Sequence, residues 1–548
     1  MSKIKMFALG GLNEIGKNMY VVEVDNDIYV FEAGLKYADD SLLGIDYIIP
    51  NYDYLIQNKD RIVGIFITHG HDEQMGALAD ILGTLKEVPV YATAFTLDII
   101  RQDLEEEGIV DAKLNELKLH RKVTFGKNSI FPIRVSHSIP DSVMYVLYTE
   151  DGALVFTGNY VIDPSMMGAF NSDIGKIAYV GKQGVLCVLG ESVYASRNGF
   201  TSPSHRARDI IREVLNKNEG RILVNIMQAQ IYRIQELLEE VKKTNRNVVI
   251  MGKKLESIIL KAIDYHYISF DKTRIKNIHS VNEPGVIVIV SNEREVPYSN
   301  MKRIIKGYDK FVTLTEEDTV VFASPIYDSI EVTSTQVFDS IAKIGCNLVV
   351  LSKRQYRSPH ASKEDIMLMI NMLSPKYYFP IIGEYRDQVE NARLAYRLGM
   401  DEESVFLKLN GDVITLENGK YIDNGEKIKT DELLIDGKQS GDVGDLVLKD
   451  RELLGENGIV IVTTTLDKSS KKVLAGPEIL TRGFIYVKDN SDLIKEAEDI
   501  SLEVVNSFIN PNYVDFNKIK LGIRDKLGKF LYQKTSSKPM IIVVVQEV

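Results

Sequence analysis

The chain's capacity for metal chemistry rests on eight histidines, because its two cysteines, Cys187 and Cys346, are too few for a four-cysteine zinc site or a disulfide framework. The densest group is Thr68-His69-Gly70-His71-Asp72-Glu73-Gln74-Met75-Gly76, directly after the strand-like run IVGIFI. Two histidines one residue apart at a strand end can face one ion, and Gly70 leaves room for the turn. Alone, the tripeptide reads equally well as a pair of loop histidines. His137 closes FPIRVSH and adds a third imidazole at another strand end. Three such groups can hold one ion and a water, as in a three-histidine zinc site. His120, His205, His266 and His279 have no acid or histidine at ligand spacing and read as solvated or capping residues.

Two further motifs have plainer readings. Gly11-Leu12-Asn13-Glu14-Ile15-Gly16-Lys17-Asn18 has the glycine and lysine spacing of a phosphate-binding loop, but Asn18 replaces the magnesium-binding Ser or Thr. A strand also follows where a helix must begin, so a strand-connecting turn is expected. Ser358 and Ser362, ahead of KEDIMLMINML, read on their own as helix caps.

The elements that must position these residues follow from the hydrophobic pattern. Up to about residue 203 the chain has short runs rich in Val, Ile, Tyr and Phe, such as MYVVEV and VPVYATA, and one hairpin at Glu150-Asp151-Gly152. From about 204, helical periods alternate with strands (RARDIIREVLNK, RILVNI, VIVIVSN), as in a separate, mostly parallel α/β unit. NLVVLS, KEDIMLMINMLSP and KYYFPIIGEYR are too few for a domain, so they are read as completing the first one around an insertion. The resulting plan is 1–203 and 346–429 for the first domain and 204–345 for the insertion. A Gly- and Asp-rich linker with a short strand follows over 430–455, then a C-terminal α/β domain over 456–548, which includes a strand at GFIYVKD.

At 548 residues with net charge −11, the chain is too long for one core and too acidic for a simple basic nucleic-acid binder, although a local basic groove stays open. No apolar run reaches the roughly 18 residues of a membrane span. The start MSKIKMFALGG passes straight into a strand pattern, unlike a signal peptide. A cytoplasmic protein with no membrane partner is expected.

Several stretches resemble the metallo-β-lactamase fold and, within it, the β-CASP branch typified by bacterial ribonuclease J. They are ALGGLNEIGKNMYVVEV, LLGIDYIIPNYDYL, THGHDEQMGA, FTGNYVIDPS, ESVYASRNGFT, SPHASKEDIMLMINMLSPKYYFPIIGEYR and GPEILTRGFIYV. The resemblance runs nearly end to end. It implies an αββα sandwich, an inserted β-CASP α/β domain and a C-terminal α/β domain. Residue by residue, it makes His69, His71 and His137 metal ligands, with Glu73 and Asn159 as weak oxygen ligands and Glu73 as a weak catalytic group. It makes Tyr356, Arg357, Ser358, Pro359 and His360 the RNA-binding segment, ahead of a helix whose N-terminal amides favour an anion.

Five positions depart from the family's site: Glu32 and Glu73 replace aspartates, Gln74 and Ile382 replace histidines, and Asn159 replaces the bridging aspartate. The family's Ser-Asn phosphate contact is Ala229-Gln230, and Glu191-Ser192 stands for Asp-Ser. A two-metal hydrolase needs a bridging anionic oxygen, which Asn159 cannot supply, and Ile382 offers no ligand. At most one ion, zinc or else manganese or magnesium, is expected, or none.

The departures resemble those of a second, catalytically degenerate paralogue of Gram-positive bacteria. That resemblance implies RNA decay and rRNA maturation by a 5′-to-3′ exonuclease and endonuclease assembly, in which this chain is a weak or inactive subunit. Its implied partners are RNA and the first, active ribonuclease J paralogue, in a homodimer or heterotetramer and within an RNA-degradation complex. The alternative is a ribonuclease active on its own, with Glu73 or Asp72 rearranged to complete a modified metal site.

Overall fold

The computed structural model describes residues 2–39, 42–227, 230–292, 298–324, 326, 330–352, 356, 358–437, 439–440, 444–485, 490–510 and 513–548. By internal contact the chain forms two compact units, Met1–Tyr37 with Tyr47–Leu433, and Ala38–Asp46 with Leu434–Val548.

Two sheets face each other in the first unit. One has eight strands, in the order Lys420–Ile422, Ile414–Glu417, Lys3–Gly10, Met19–Val24, Asp27–Phe31, Ile62–Phe66, Val90–Ala92 and Leu114–Glu116. The other has six, in the order Tyr377–Ile381, Val185–Glu191, Gly152–Phe156, Val143–Thr149, Asn128–Arg134 and Val123–Phe125. Their inner faces share one core that includes Tyr20, Phe31 and Phe66 from the first sheet and Tyr145, Phe156 and Phe379 from the second. Phe31 stacks on Phe156 at 5.1 Å, and the Tyr145 hydroxyl donates to the Ile67 carbonyl at 2.7 Å. The core thus fixes the backbone two residues before His69. The helices Ile174–Gln183, Lys363–Leu373 and Tyr385–Arg397 cover the outer face of the second sheet through Ile177, Met369, Ile370 and Ala392. With Leu78–Thr84 and Ala94–Glu106 beside the first sheet, this is the expected αββα sandwich.

The turn at residues 11–18 links the antiparallel strands Lys3–Gly10 and Met19–Val24, which suits the plain reading of that glycine-rich stretch. Lys17 is buried there against Glu14 at 3.2 Å and Glu432 at 2.6 Å. The hairpin at Glu150 and Asp151 also forms, with the positive φ confined to Gly152 (130°).

The insertion is a six-stranded, wholly parallel sheet in the order Ile275–Lys276, Val248–Met251, Ile287–Asn292, Ile222–Met227, Thr319–Phe322 and Asn347–Val350. Strands buried on both faces need near-continuous apolar runs, and VIVIVS and TVVF supply them. The last strand corrects the sequence-based plan. NLVVLS was expected in the first domain from 346 onward, but Asn347–Val350 pairs with Thr319–Phe322 at the edge of the inserted sheet. The helix Glu331–Ile344 followed at once by a strand makes a short parallel crossover, and an apolar run alone does not reveal which sheet it joins.

In the second unit the strands Val473–Arg482, Ile459–Leu466 and Met540–Glu547 form a sheet against the helices Ser491–Ser507 and Phe516–Thr535. Where the sequence reads as a linker, the structure has the strand Glu432–Asp436 and a helix at Asp445–Asn457. The glycines there mark the helix ends, Gly444 before it and Gly458 (φ 72°) after it. Of the strand expected at GFIYVKD, residues 486–489 lie outside the described residues.

Gly34 shows how tightly the sandwich closes below the histidines. A Cβ there would lie 1.7 Å from the Glu73 carbonyl oxygen, which also accepts from the Asn18 backbone and side chain. Neither backbone can yield, so Gly34→Ala is expected to cost about 3 kcal/mol or more in urea unfolding. An unchanged midpoint would refute this account of the turn.

Candidate metal centre

Three strand ends converge on the site. Asp27–Phe31 ends in Glu32, Ile62–Phe66 leads into the turn 68–71, and Asn128–Arg134 leads to His137. Glu32 is fully buried in left-handed backbone (φ 66°). Its carboxyl accepts from the Thr68 amide at 3.1 Å and lies 2.5 Å from the Thr68 hydroxyl. The same hydroxyl stands 2.8 Å from His69 Nδ1, so Glu32 holds the first histidine through Thr68.

The nitrogens of His69, His71 and His137 that face inward lie within 4.8 Å of one another, and all three rings are buried. His69 Nε2 is 3.1 Å from His71 Nδ1, and the outer His71 Nε2 is 3.1 Å from the Ser138 hydroxyl. His137 Nδ1 bonds the Pro359 carbonyl at 2.8 Å. A carbonyl can only accept, so His137 carries its proton on Nδ1 and presents a lone pair on Nε2, which is buried without a partner. Burial first, then the nearby His360, holds the His137 pKa down at about 3, so the ring is neutral. A neutral imidazole fixed by a carbonyl on its outer nitrogen, with an orphaned inner lone pair, is the donor that a divalent ion requires. The three histidines therefore fit a single metal.

A second ion does not fit. Among the described residues no carboxylate joins the triad. Asp72 accepts from the Tyr37 hydroxyl at 2.9 Å, and the half-buried Glu73 stands outside the cluster, so neither completes it as arranged. Gln74 Oε1 and Asn159 Oδ1 are buried without partners, and both are neutral amide oxygens. Ile382 is buried in the apolar core at φ 52°. Left-handed backbone at a β-branched residue costs about 1–3 kcal/mol. It is held from outside: the Ile382 amide donates to Tyr20, and the Ile382 carbonyl accepts from Ser192.

The expected RNA-binding segment lies against the triad. Glu191 is fully buried and accepts from the Tyr160 and Ala361 amides and from His360 Nδ1 at 3.1 Å. That leaves His360 Nε2 for a ligand. Ser358 Oγ is buried and unpartnered, Pro359 is buried and Tyr356 half-buried. Arg357 and Ala229 lie outside the described residues, and Gln230 is buried just before the helix Ile231–Val241.

One expectation fails here. The N-terminal amides of Lys363–Leu373 are not open to an anion, because Lys363 and Glu364 donate to the Arg197 and Gly199 carbonyls. Ser362 and Asp365 close a capping box over the rest. The reading of His205 as solvated also fails. It is buried, with Nε2 2.7 Å from Asp163 Oδ2, and bonds from His205 and Ser165 hold the Asp163 carboxyl well below the usual range even though burial opposes them. His120 likewise meets Asp173 at 3.0 Å. Sequence spacing gave no sign of either pair, since each is made across the fold.

Residues 219–341 match the family described as Ribonuclease J, beta-CASP domain, and residues 446–548 match the Ribonuclease J C-terminal domain. Ribonuclease J2 of Bacillus subtilis (strain 168) is 37% identical over 550 residues, covering 100% of this chain and 99% of that protein. Ribonuclease J 2 of Staphylococcus aureus (strain NCTC 8325 / PS 47) is 34% identical, covering 100% and 98%. A crystal structure of a protein of unknown function from Enterococcus faecalis V583 matches with TM-score 0.53 at 14% identity, over 76% of this chain and 100% of that one. That last likeness concerns the fold alone.

Burial pushes the Glu32 carboxyl from 4.5 up to about 8, although the Thr68 bonds oppose it. The folded state therefore binds this proton more readily than the unfolded state, so the group's contribution to stability falls as pH rises through that window. In chelator-treated protein, Glu32→Gln should gain in melting temperature on the parent as pH is raised from about 5 to about 8. Parallel curves would contradict the assignment.

Proposed function

The chain belongs to the ribonuclease J family and is similar over its whole length to the family's second paralogues; from that premise we propose that it serves RNA decay and maturation as an RNA-binding subunit whose own hydrolysis is weak or absent. The observation that carries this reading is the contrast inside one site. The three-imidazole set keeps an orphaned, metal-ready lone pair on His137, while Asn159, Gln74 and Ile382 supply only neutral or apolar groups. A bound ion would supply Lewis acidity and a water of lowered pKa. His69, His71 and His137 would hold it, and Thr68, Ser138 and Pro359 orient their rings.

Charge shared between two ions is what in-line phosphodiester hydrolysis gains from a paired site, and these residues offer no bridge for it. Ser358 Oγ and His360 Nε2 remain suited to phosphate oxygens, with Glu191 fixing the His360 ring. A scaffold that keeps its grip and loses its second ligand set suits a subunit that holds RNA while the active paralogue cuts. Homodimers or heterotetramers, and membership of an RNA-degradation complex, follow from the same reading. A cytoplasmic role belongs to the same reading; among the described residues no helix is long and apolar enough to cross a membrane.

Metal analysis of the purified chain should find at most one ion, lost in His137→Ala. Two ions per chain, with RNA hydrolysis abolished by His69→Ala, would overturn the reading.

Decay of 5′-monophosphorylated RNA should be slow with this chain alone, and gel filtration with the active paralogue should give a joint species. The double variant Asn159→Asp, Ile382→His should raise hydrolysis by about a hundredfold, because a second ion contributes several kcal/mol. No gain would show that site chemistry is not what limits the chain.

A further inference from the structure

Flat side chains lead outward from the triad in an unbroken series. His360 meets His137 edge-on with ring centroids 5.3 Å apart, and Tyr194 meets His360 edge-on at 5.5 Å. The Arg197 guanidinium carbon then lies 3.5 Å from the centre of the Tyr194 ring. Exposure rises along the series, from buried His137 through half-buried His360 and Tyr194 to exposed Arg197. The carrying loop is pinned: Arg197 N donates to the Tyr194 carbonyl at 2.8 Å, and Lys363 N donates to the Arg197 carbonyl at 3.0 Å. Tyr194 also bridges Ser362, the cap of the following helix.

The helix amides are thereby spent on ordering this loop, and Arg197 is what the loop displays. Its guanidinium makes no hydrogen bond or ion pair with a described residue, and the Asp387 carboxylate acts on it only at longer range. The guanidinium carbon sits over the Tyr194 ring while Arg197 as a residue is exposed, with exposed Phe200 three residues along. The cation–π contact orders a side chain that would otherwise lose much rotamer freedom on binding. A guanidinium that contacts phosphate alone needs its N–H fork presented, whereas a fixed plane with an open face suits another flat group. Unstacked bases of single-stranded RNA stack on aromatic rings and on Arg guanidinium planes.

We infer that Arg197, laid on Tyr194, is a stacking platform for a nucleobase of single-stranded RNA close to the phosphate gripped by Ser358 and His360. This rests on the RNA-binding reading above and names a contact that reading does not include.

The test measures binding of 5′-monophosphorylated, single-stranded RNA to the full-length chain by fluorescence anisotropy, with intact RNA and with RNAs carrying one abasic site at successive positions. Arg197→Ala should weaken binding about tenfold. Arg197→Lys, which keeps the charge without the plane, should do the same. One abasic position should weaken the parent by a similar factor and leave Arg197→Ala unaffected. Parent-like affinity of Arg197→Lys, losses that simply multiply, or RNA bound equally well by Arg197→Ala would each overturn the platform alone. Failure of the parent chain to bind any of these RNAs would overturn the RNA-binding reading and the platform with it.

Discussion

The bond from His137 Nδ1 to the Pro359 carbonyl is the constraint on which the rest of the site depends. It joins the end of one sandwich strand to the segment that returns from the insertion, residues 222 apart in the chain. Because the acceptor can only accept, it settles the tautomer of His137, turns the lone pair inward and fixes where the third imidazole stands. It also sets the position of Ser358 and His360 on either side of Pro359. The three imidazoles and the segment 358–360 are consequently one unit, and displacing either displaces the other. Leaving the His137 lone pair buried and unmatched costs about 1–3 kcal/mol, which a ligand would recover.

Around that unit two buried glutamates support the site. Glu32 is one methylene longer than aspartate, yet its carboxyl still reaches both Thr68 groups and steadies His69 through them. Glu191 is longer too and still collects two amides and His360. Residues that hold other residues have tolerated the extra length. The positions at which the family resemblance expects further metal ligands, Gln74, Asn159 and Ile382, carry two buried neutral amides and an apolar side chain.

Local pattern made a mixed α/β first domain, an inserted α/β unit and three histidines at strand ends legible, while the αββα sandwich came from the family resemblance. Strand ends are marked by apolar runs; the His-Gly-His turn alone left a metal site and a pair of loop histidines equally open, and His137 at another strand end favoured the metal. Contacts between distant segments were not legible. His205 and Asp163 are 42 residues apart and meet only through folding. The amides ahead of Lys363 read as an open anion site because nothing local reveals that the loop 194–199 occupies them. The strand Asn347–Val350 has the composition of either sheet's edge, and pairing decided between them. The helix Asp445–Asn457 was hidden by the glycines and acids at its margins, which signal an end as readily as a linker.

The left-handed turn at Ile382 bears on the history of the chain. Tyr20 and Ser192 impose that backbone from outside, so the turn does not depend on which residue occupies it, and a β-branched occupant is among the least suited to it. A side chain without the branch would relieve strain there, and histidine is one such residue. Histidine could therefore occupy this turn on the polypeptide path seen here. In evolutionary terms, exchange between isoleucine and histidine at this turn needs a side-chain replacement alone, with no refolding step.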